Sequence, residues 1–173
     1  MGLVGALNYG NEICQGEIIV KQDSDDLSLP NRLEVIDREI KDSDFFYHGM
    51  YQTFEGDGGI FQRSYIPALP IEREKILKEQ YIPGCFAYTK EFISKNPYRK
   101  SHCSEDWMLI LDAFLKGNKV GFVNEGLYEY ILRVDSNSMI NEGTGAYEDD
   151  EAEMQKILKE EYNIDNFKYA IRK

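Results

Sequence analysis

The sequence predicts an α/β fold. Three observations carry that prediction: a β-branched run, Ile18-Ile19-Val20, cut off by the acidic turn Asp23-Ser24-Asp25-Asp26; a strongly periodic apolar helix after Ser104; and the alternation of helical and extended segments along the body. The first element, Val4 to Cys14, reads as a helix with Val4, Leu7 and Ile13 on its apolar side, closed by Gly16. Glu17 to Gln22 then reads as a buried strand that stops where Asp and Ser favour a turn over a ladder. Ser28 is placed to cap a second helix, Leu29 to about Lys41, with Pro30 early in it, where its missing donor costs little.

Phe45 to Phe54 and Ile60 to Ile66 flank the turn residues Glu55-Gly-Asp-Gly-Gly59 and predict a β-hairpin. A helix is expected from Ile71 to Gln80, a short strand from Tyr81 to Tyr88, and a short helix capped by Thr89 that Asn96-Pro97 breaks. Trp107, Ile110, Leu111, Phe114 and Leu115 recur at spacings of three and four, the core face of a helix stopped by Gly117. Lys119 to Val123 and Leu127 to Leu132 read as two strands. The composition shifts at Asn141 to Ala146, so the chain divides into a body, residues 1–140, and an acidic helical tail, residues 141–173, expected to pack loosely through Met154, Ile157 and Leu158.

Composition narrows the chemistry. With 31 Asp and Glu against 20 Lys and Arg, a net charge of -11 and a pI near 4.7, the chain is a poor partner for nucleic acid or anionic lipid. No apolar run approaches the roughly 20 residues that span a bilayer, and no signal-peptide pattern opens the sequence, so no transmembrane segment and a cytoplasmic location are expected. Cys14, Cys85 and Cys103 form no C-x-x-C pair and read as reduced thiols; with His48 and His102 the only histidines, a metal would be held mainly by oxygen.

Three segments are candidates for chemistry. A cluster of carboxylates beyond the carboxyl end of a buried strand sits where α/β sheets bind ligands, and its repulsion is relieved most simply by Mg²⁺ or Mn²⁺ shared with a diphosphate. That the aspartates merely end a strand is an equal competitor. A calcium loop fits Asp23, Asp25 and Glu34 but fails at Leu27 and Ser28, and Asp26-Leu27 argues against an aspartate-nucleophile phosphatase. Glu105-Asp106 opens the strongest helix, as first-turn acids do for helix stability alone, or as a proton acceptor does if it projects into a site. Leu127-Tyr-Glu-Tyr-Ile-Leu132, followed by Arg133-Val-Asp135-Ser-Asn-Ser138, by itself reads as sheet packing and a turn.

In this order the segments resemble the family 2 glycosyltransferases of GT-A fold. Gly5-Ala-Leu-Asn8, Gly16-Glu-Ile-Ile-Val20 and Gln22-Asp-Ser-Asp-Asp-Leu-Ser-Leu-Pro-Asn-Arg-Leu33 are similar to that family's helix, strand and Asp-x-Asp segment; Ser104-Glu-Asp-Trp107, Gly117-Asn-Lys-Val120 and Leu127-Tyr-Glu-Tyr130 are similar to its Glu-Asp helix and the strand after it. The resemblance implies a partial GT-A fold with a mixed sheet flanked by helices, a nucleotide-sugar donor, a carbohydrate or other hydroxyl acceptor, and Mn²⁺ or Mg²⁺. It implies Asp23 and Asp25 on the donor's ribose and metal with Asp26 adjacent, Asp106 as catalytic base with inversion, and Glu105 orienting the acceptor. Asp135 stands near a position where many members carry a histidine that reaches the metal, and would replace it as an oxygen ligand.

The likeness begins at the helix before the Asp-x-Asp strand. It therefore implies that residues 1–140 are the later two-thirds of such a domain, with at least two βαβ units of roughly 30 residues each still required for the nucleotide base. A truncated or split gene, a partner chain supplying the first half, and a shortened, non-catalytic carbohydrate-binding or interaction remnant all fit that expectation, and a homo-oligomer is the other partner expected.

Overall fold

The computed structural model describes residues 2–56, 59–133, 144–165 and 167. In chain order the elements are α1 (Gly2–Ile13), β1 (Ile18–Val20), β2 (Leu27–Ser28), α2 (Arg32–Ile40), β3 (Phe45–Gly56), β4 (Gly59–Ile66), α3 (Arg73–Ile76), β5 (Phe86–Thr89), α4 (Lys90–Lys95), α5 (Glu105–Leu115), β6 (Val120–Leu132) and α6 (Ala146–Tyr162). The strands form one six-stranded mixed sheet in the order β1-β5-β3-β6-β2, with β4 hairpinned onto the second half of β3. Among the described residues only the β3–β6 pair is parallel. No helix among the described residues is long and apolar enough to cross a membrane.

Side chains on β3 alternate between two layers, as a strand requires. Phe45 and Tyr47 join the main core with Phe86, Tyr88, Phe92 and the buried face of α5, where Phe45 packs 4.9 Å from Phe86 and 5.6 Å from Phe92. Phe46 points the other way, onto Ile36 and Ile40 of α2. The sheet is thus covered on both faces, and the loops after β1 and before α5 are carried on packed elements.

Several expectations are corrected. The two strands expected in residues 119–132 are one strand, β6, whose register slips against β3 around His48 and Gly49; the interruption at Asn124 and Glu125 is a bulge, not a break. Ser28 is no helix cap: it pairs with Tyr128 in β2, and α2 starts three residues beyond Leu29. The helix expected over residues 71–80 is a single turn, Arg73–Ile76, and the carbonyl at its end, Ile76, accepts from the Trp107 indole at 2.9 Å. The strand expected over residues 81–88 is a buried loop until Phe86. α6 does not pack loosely: Met154 and Leu158 lie in the main core, and Tyr162 and Glu161 bond to Asp112 and Arg99.

Candidate functional site

β1 ends at Val20, and the next residues turn sharply into a loop, Lys21 to Asp26, that forms one wall of a cleft of about 1150 Å³. The loop is pinned from behind by Arg32, which is 1% exposed and stacks 4.5 Å over the Tyr128 ring. Its guanidinium donates to the Lys21 carbonyl at 2.8 Å, the Gln22 amide oxygen at 2.8 Å, Ser28 Oγ at 2.9 Å and His48 Nε2 at 3.1 Å. A planar fork of donors satisfies several acceptors with one buried charge, which makes the loop rigid. Tyr128 fastens it from β6, accepting from the Asp23 amide at 3.1 Å and donating to Asp26 Oδ2 at 2.8 Å.

The opposite wall is the start of α5. Glu105 and Asp106 occupy its first turn, where the helix N-terminus favours carboxylates. Lys21 joins the walls: its ammonium lies 2.9 Å from Asp23 Oδ2 and 3.1 Å from Asp106 Oδ2, with its side chain only 6% exposed. Burial by itself lowers the Lys21 pKa, but Asp106 and Asp23 outweigh it, so the ammonium stays charged. Burial raises the Asp106 pKa; the Lys21 charge opposes that rise and the Asp23 charge adds to it. Glu105 is pushed up to about 7, first by burial and then by the Asp106 charge. Asp106 Oδ1 is buried and accepts no hydrogen bond from the described residues. Gly84 crowds the same carboxylate: a Cβ there would stand 2.8 Å from Asp106 Oδ2.

The expected site residues are therefore brought together, except for one. Asp23, Asp25, Asp26, Glu105 and Asp106 all line the cleft, while Asp135 lies outside the described residues. Within the cluster their situations differ. Asp26 has both oxygens engaged by the protein, Oδ2 by Tyr128 and Oδ1 by the Ile131 amide at 2.8 Å, whereas Asp25 is 55% exposed and 3.8 Å from Arg133. Among the described residues no group of three or more His, Cys, Asp or Glu is arranged to hold a metal ion. Asp23 Oδ2 is taken by the Lys21 ammonium and Asp25 is exposed, both at the cleft, and their oxygens are of the donor type a hard divalent cation takes.

Lys21, Gly84, Arg32 and Tyr128 were not identified as site residues by sequence reasoning. The available signal is Lys21 itself, a cation directly after the apolar run Ile18-Ile19-Val20 and two residues before Asp23.

Residues 1–97 match the family model described as Glycosyl transferase family 2. The chain belongs to glycosyl transferase family 2. The matched span holds Asp23 to Asp26 and stops before Glu105 and Asp106, which the fold, through Lys21, carries to the same cleft in this family 2 chain. Over 128 residues it is 30% identical to the Escherichia coli UDP-Gal:alpha-D-GlcNAc-diphosphoundecaprenol beta-1,3-galactosyltransferase, covering 68% of this chain and 44% of the relative. The crystal structure of S. aureus TarS 1-349 in complex with UDP-GlcNAc superimposes with a TM-score of 0.52 at 18% identity, over 75% of this chain and 39% of TarS. TarS 1-349 also matches at a TM-score of 0.50 and 17% identity, over 72% and 38%. These two likenesses support the partial GT-A fold. The chain spans less than half the length of each of these relatives.

Proposed function

We propose that this chain carries the sugar-transferring half of a metal-dependent, inverting glycosyltransferase that moves a sugar from a UDP-sugar donor to an acceptor hydroxyl in polysaccharide assembly. The observation that carries the reading is the Lys21 bridge. It sets the Asp-x-Asp loop and Asp106 at 2.9 and 3.1 Å from one ammonium, leaving at the cleft a buried Asp106 oxygen with no hydrogen-bond partner among the described residues. UDP is chosen because the E. coli relative is named for UDP-Gal and TarS was crystallised with UDP-GlcNAc.

In this reading Asp23 and Asp25 would hold Mn²⁺ or Mg²⁺, which when bound offsets charge gathering on the departing diphosphate. Asp106 accepts the proton of the acceptor hydroxyl while that oxygen forms a bond to the anomeric carbon from the face opposite the diphosphate. The bond from that carbon to the phosphate oxygen breaks, and UDP leaves with the electron pair. The Lys21 ammonium opposes the rise that burial imposes on the Asp106 pKa and so favours its ionised, proton-accepting form. Glu105, beside it, orients the acceptor, and Asp26 serves by shaping the loop through Tyr128 and Ile131.

Two measurements test the reading. UDP with Mn²⁺ raises the melting temperature, and Asp25→Ala removes the rise. UDP release from UDP-galactose or UDP-N-acetylglucosamine falls about 10²–10⁴-fold in Asp106→Asn, the range typical of a lost general base. No thermal shift together with turnover indifferent to Asp106→Asn would overturn it and favour a non-catalytic carbohydrate-binding role.

A further inference from the structure

The turn that feeds Asp106 into the cleft is held by a carboxylate from the far end of the chain. Asp150, in α6, is 2% exposed, and its neighbours in space are the residues just ahead of α5. Its Oδ2 accepts from Ser101 Oγ at 2.7 Å and the Cys103 amide at 2.9 Å, with Cys103 Sγ at 3.4 Å, and its Oδ1 accepts from the His102 amide at 2.9 Å. The chain of bonds continues: Ser101 Oγ accepts from the Ser104 amide at 2.7 Å, and Ser104 is the residue that precedes α5. The Ser104 side chain makes no capping bond of its own. His102 and Cys103 of this turn, and Tyr147 from the first turn of α6, line the cleft with Glu105 and Asp106.

We propose that Asp150 is a positioning residue for the transfer reaction: through the turn at residues 101–104 it sets where α5 begins, and so where Asp106 stands relative to Lys21 and the donor. This rests on the reading of Asp106 as the base. A single buried carboxylate that collects two backbone amides and a hydroxyl fixes three consecutive residues at once, which a solvent-exposed turn of this length cannot do. A displacement of about 1 Å in a catalytic group is enough to lower rate about a hundredfold. α6 is in this sense part of the active site without touching the reacting atoms.

The test compares Asp150→Asn, which keeps one acceptor oxygen, and Asp150→Ala, which keeps none, with Glu161→Gln, which loosens the other end of α6 from Arg99 without touching the turn. Two readouts are taken: UDP release from UDP-galactose and UDP-N-acetylglucosamine, and hydrogen exchange at the amides of His102, Cys103 and Ser104. Asp150→Asn is expected to lower kcat at least tenfold with KM for the donor within twofold, Asp150→Ala to lower it further, and Glu161→Gln to change neither. The three turn amides are expected to lose protection in both Asp150 variants while amides in α5 and α6 keep theirs. The proposal is overturned if turn protection is unchanged, if protection is lost evenly along α6, or if kcat falls equally in Glu161→Gln. A wild-type chain that releases no UDP defeats the catalytic reading by itself; the exchange pattern then still decides whether Asp150 sets the turn.

Discussion

His48 illustrates how one buried side chain couples the site to pH. It is 0% exposed; Nδ1 lies 2.8 Å from the Gly49 carbonyl and Nε2 accepts from Arg32, so the ring is neutral with its proton on Nδ1. Burial, with the Arg32 charge, lowers its pKa to about 4. Folded His48 therefore stays neutral down to about pH 4, whereas in the unfolded chain it takes up its proton near 6.5. The unfolded state binds more protons in that window, so stability rises with pH across it, and acidification to pH 4 removes about 3 kcal/mol through this residue alone. His48→Gln, whose amide oxygen can still accept from Arg32, should flatten the slope between pH 4 and 6.5 in urea titrations; parallel curves for the two proteins would refute the assignment. Lys21 works on the same scale in the opposite sense, a buried charge kept because two carboxylates flank it. Neither behaviour is readable from residue type, since the identity of a lone His or Lys gives no sign of what faces it.

At the scale of elements, the loop after β1 and the first turn of α5 matter because Lys21 joins them across the cleft. The packing of residues 82–84 against them leaves room for Asp106 only because residue 84 lacks a side chain. Gly84→Ala would place a Cβ 2.8 Å from Asp106 Oδ2, a carboxylate already held by Lys21. The carboxylate must turn away, so UDP release should fall at least tenfold with little change in melting temperature; a large loss of stability at normal turnover would contradict this. Most elements here were legible from pattern: β1 from its β-branched centre, the β3–β4 hairpin from its glycine turn, and α5 from its three-and-four spacing. The misses share a cause. β6 looked like two strands because Asn124 and Glu125 break its apolar run, yet they occupy a bulge that the parallel partner β3 tolerates. α3 is shorter than its pattern suggests, and its last carbonyl, Ile76, bonds the distant Trp107 indole, a contact no local pattern shows.

For the whole molecule, α6 is the element whose role changed most. Its composition, rich in Glu and Asp, suggested a solvated tail, but Met154 and Leu158 are each 2% exposed in the core that contains Trp107, and Arg99 ties Asp112 of α5 to Glu161. Met154→Ala should therefore cost about 2–5 kcal/mol, the range for truncating a buried large side chain, measured as a shift in urea midpoint; a loosely packed tail would show almost none.

The sequence alone determined the α/β class, the acidic loop after β1, the Glu-Asp start of α5 and the family, because each is written in contiguous residues through periodicity, turn chemistry and motif spacing. Only the tertiary structure decided that Lys21 meets Asp106 across 85 positions, that Asp26 is tied to β6, and that Asp150 holds the turn ahead of α5. These are pairings between charged or polar groups far apart in the chain. Local pattern reports only that such groups exist; burial makes each pairing obligatory, because a buried polar group left without a partner is costly.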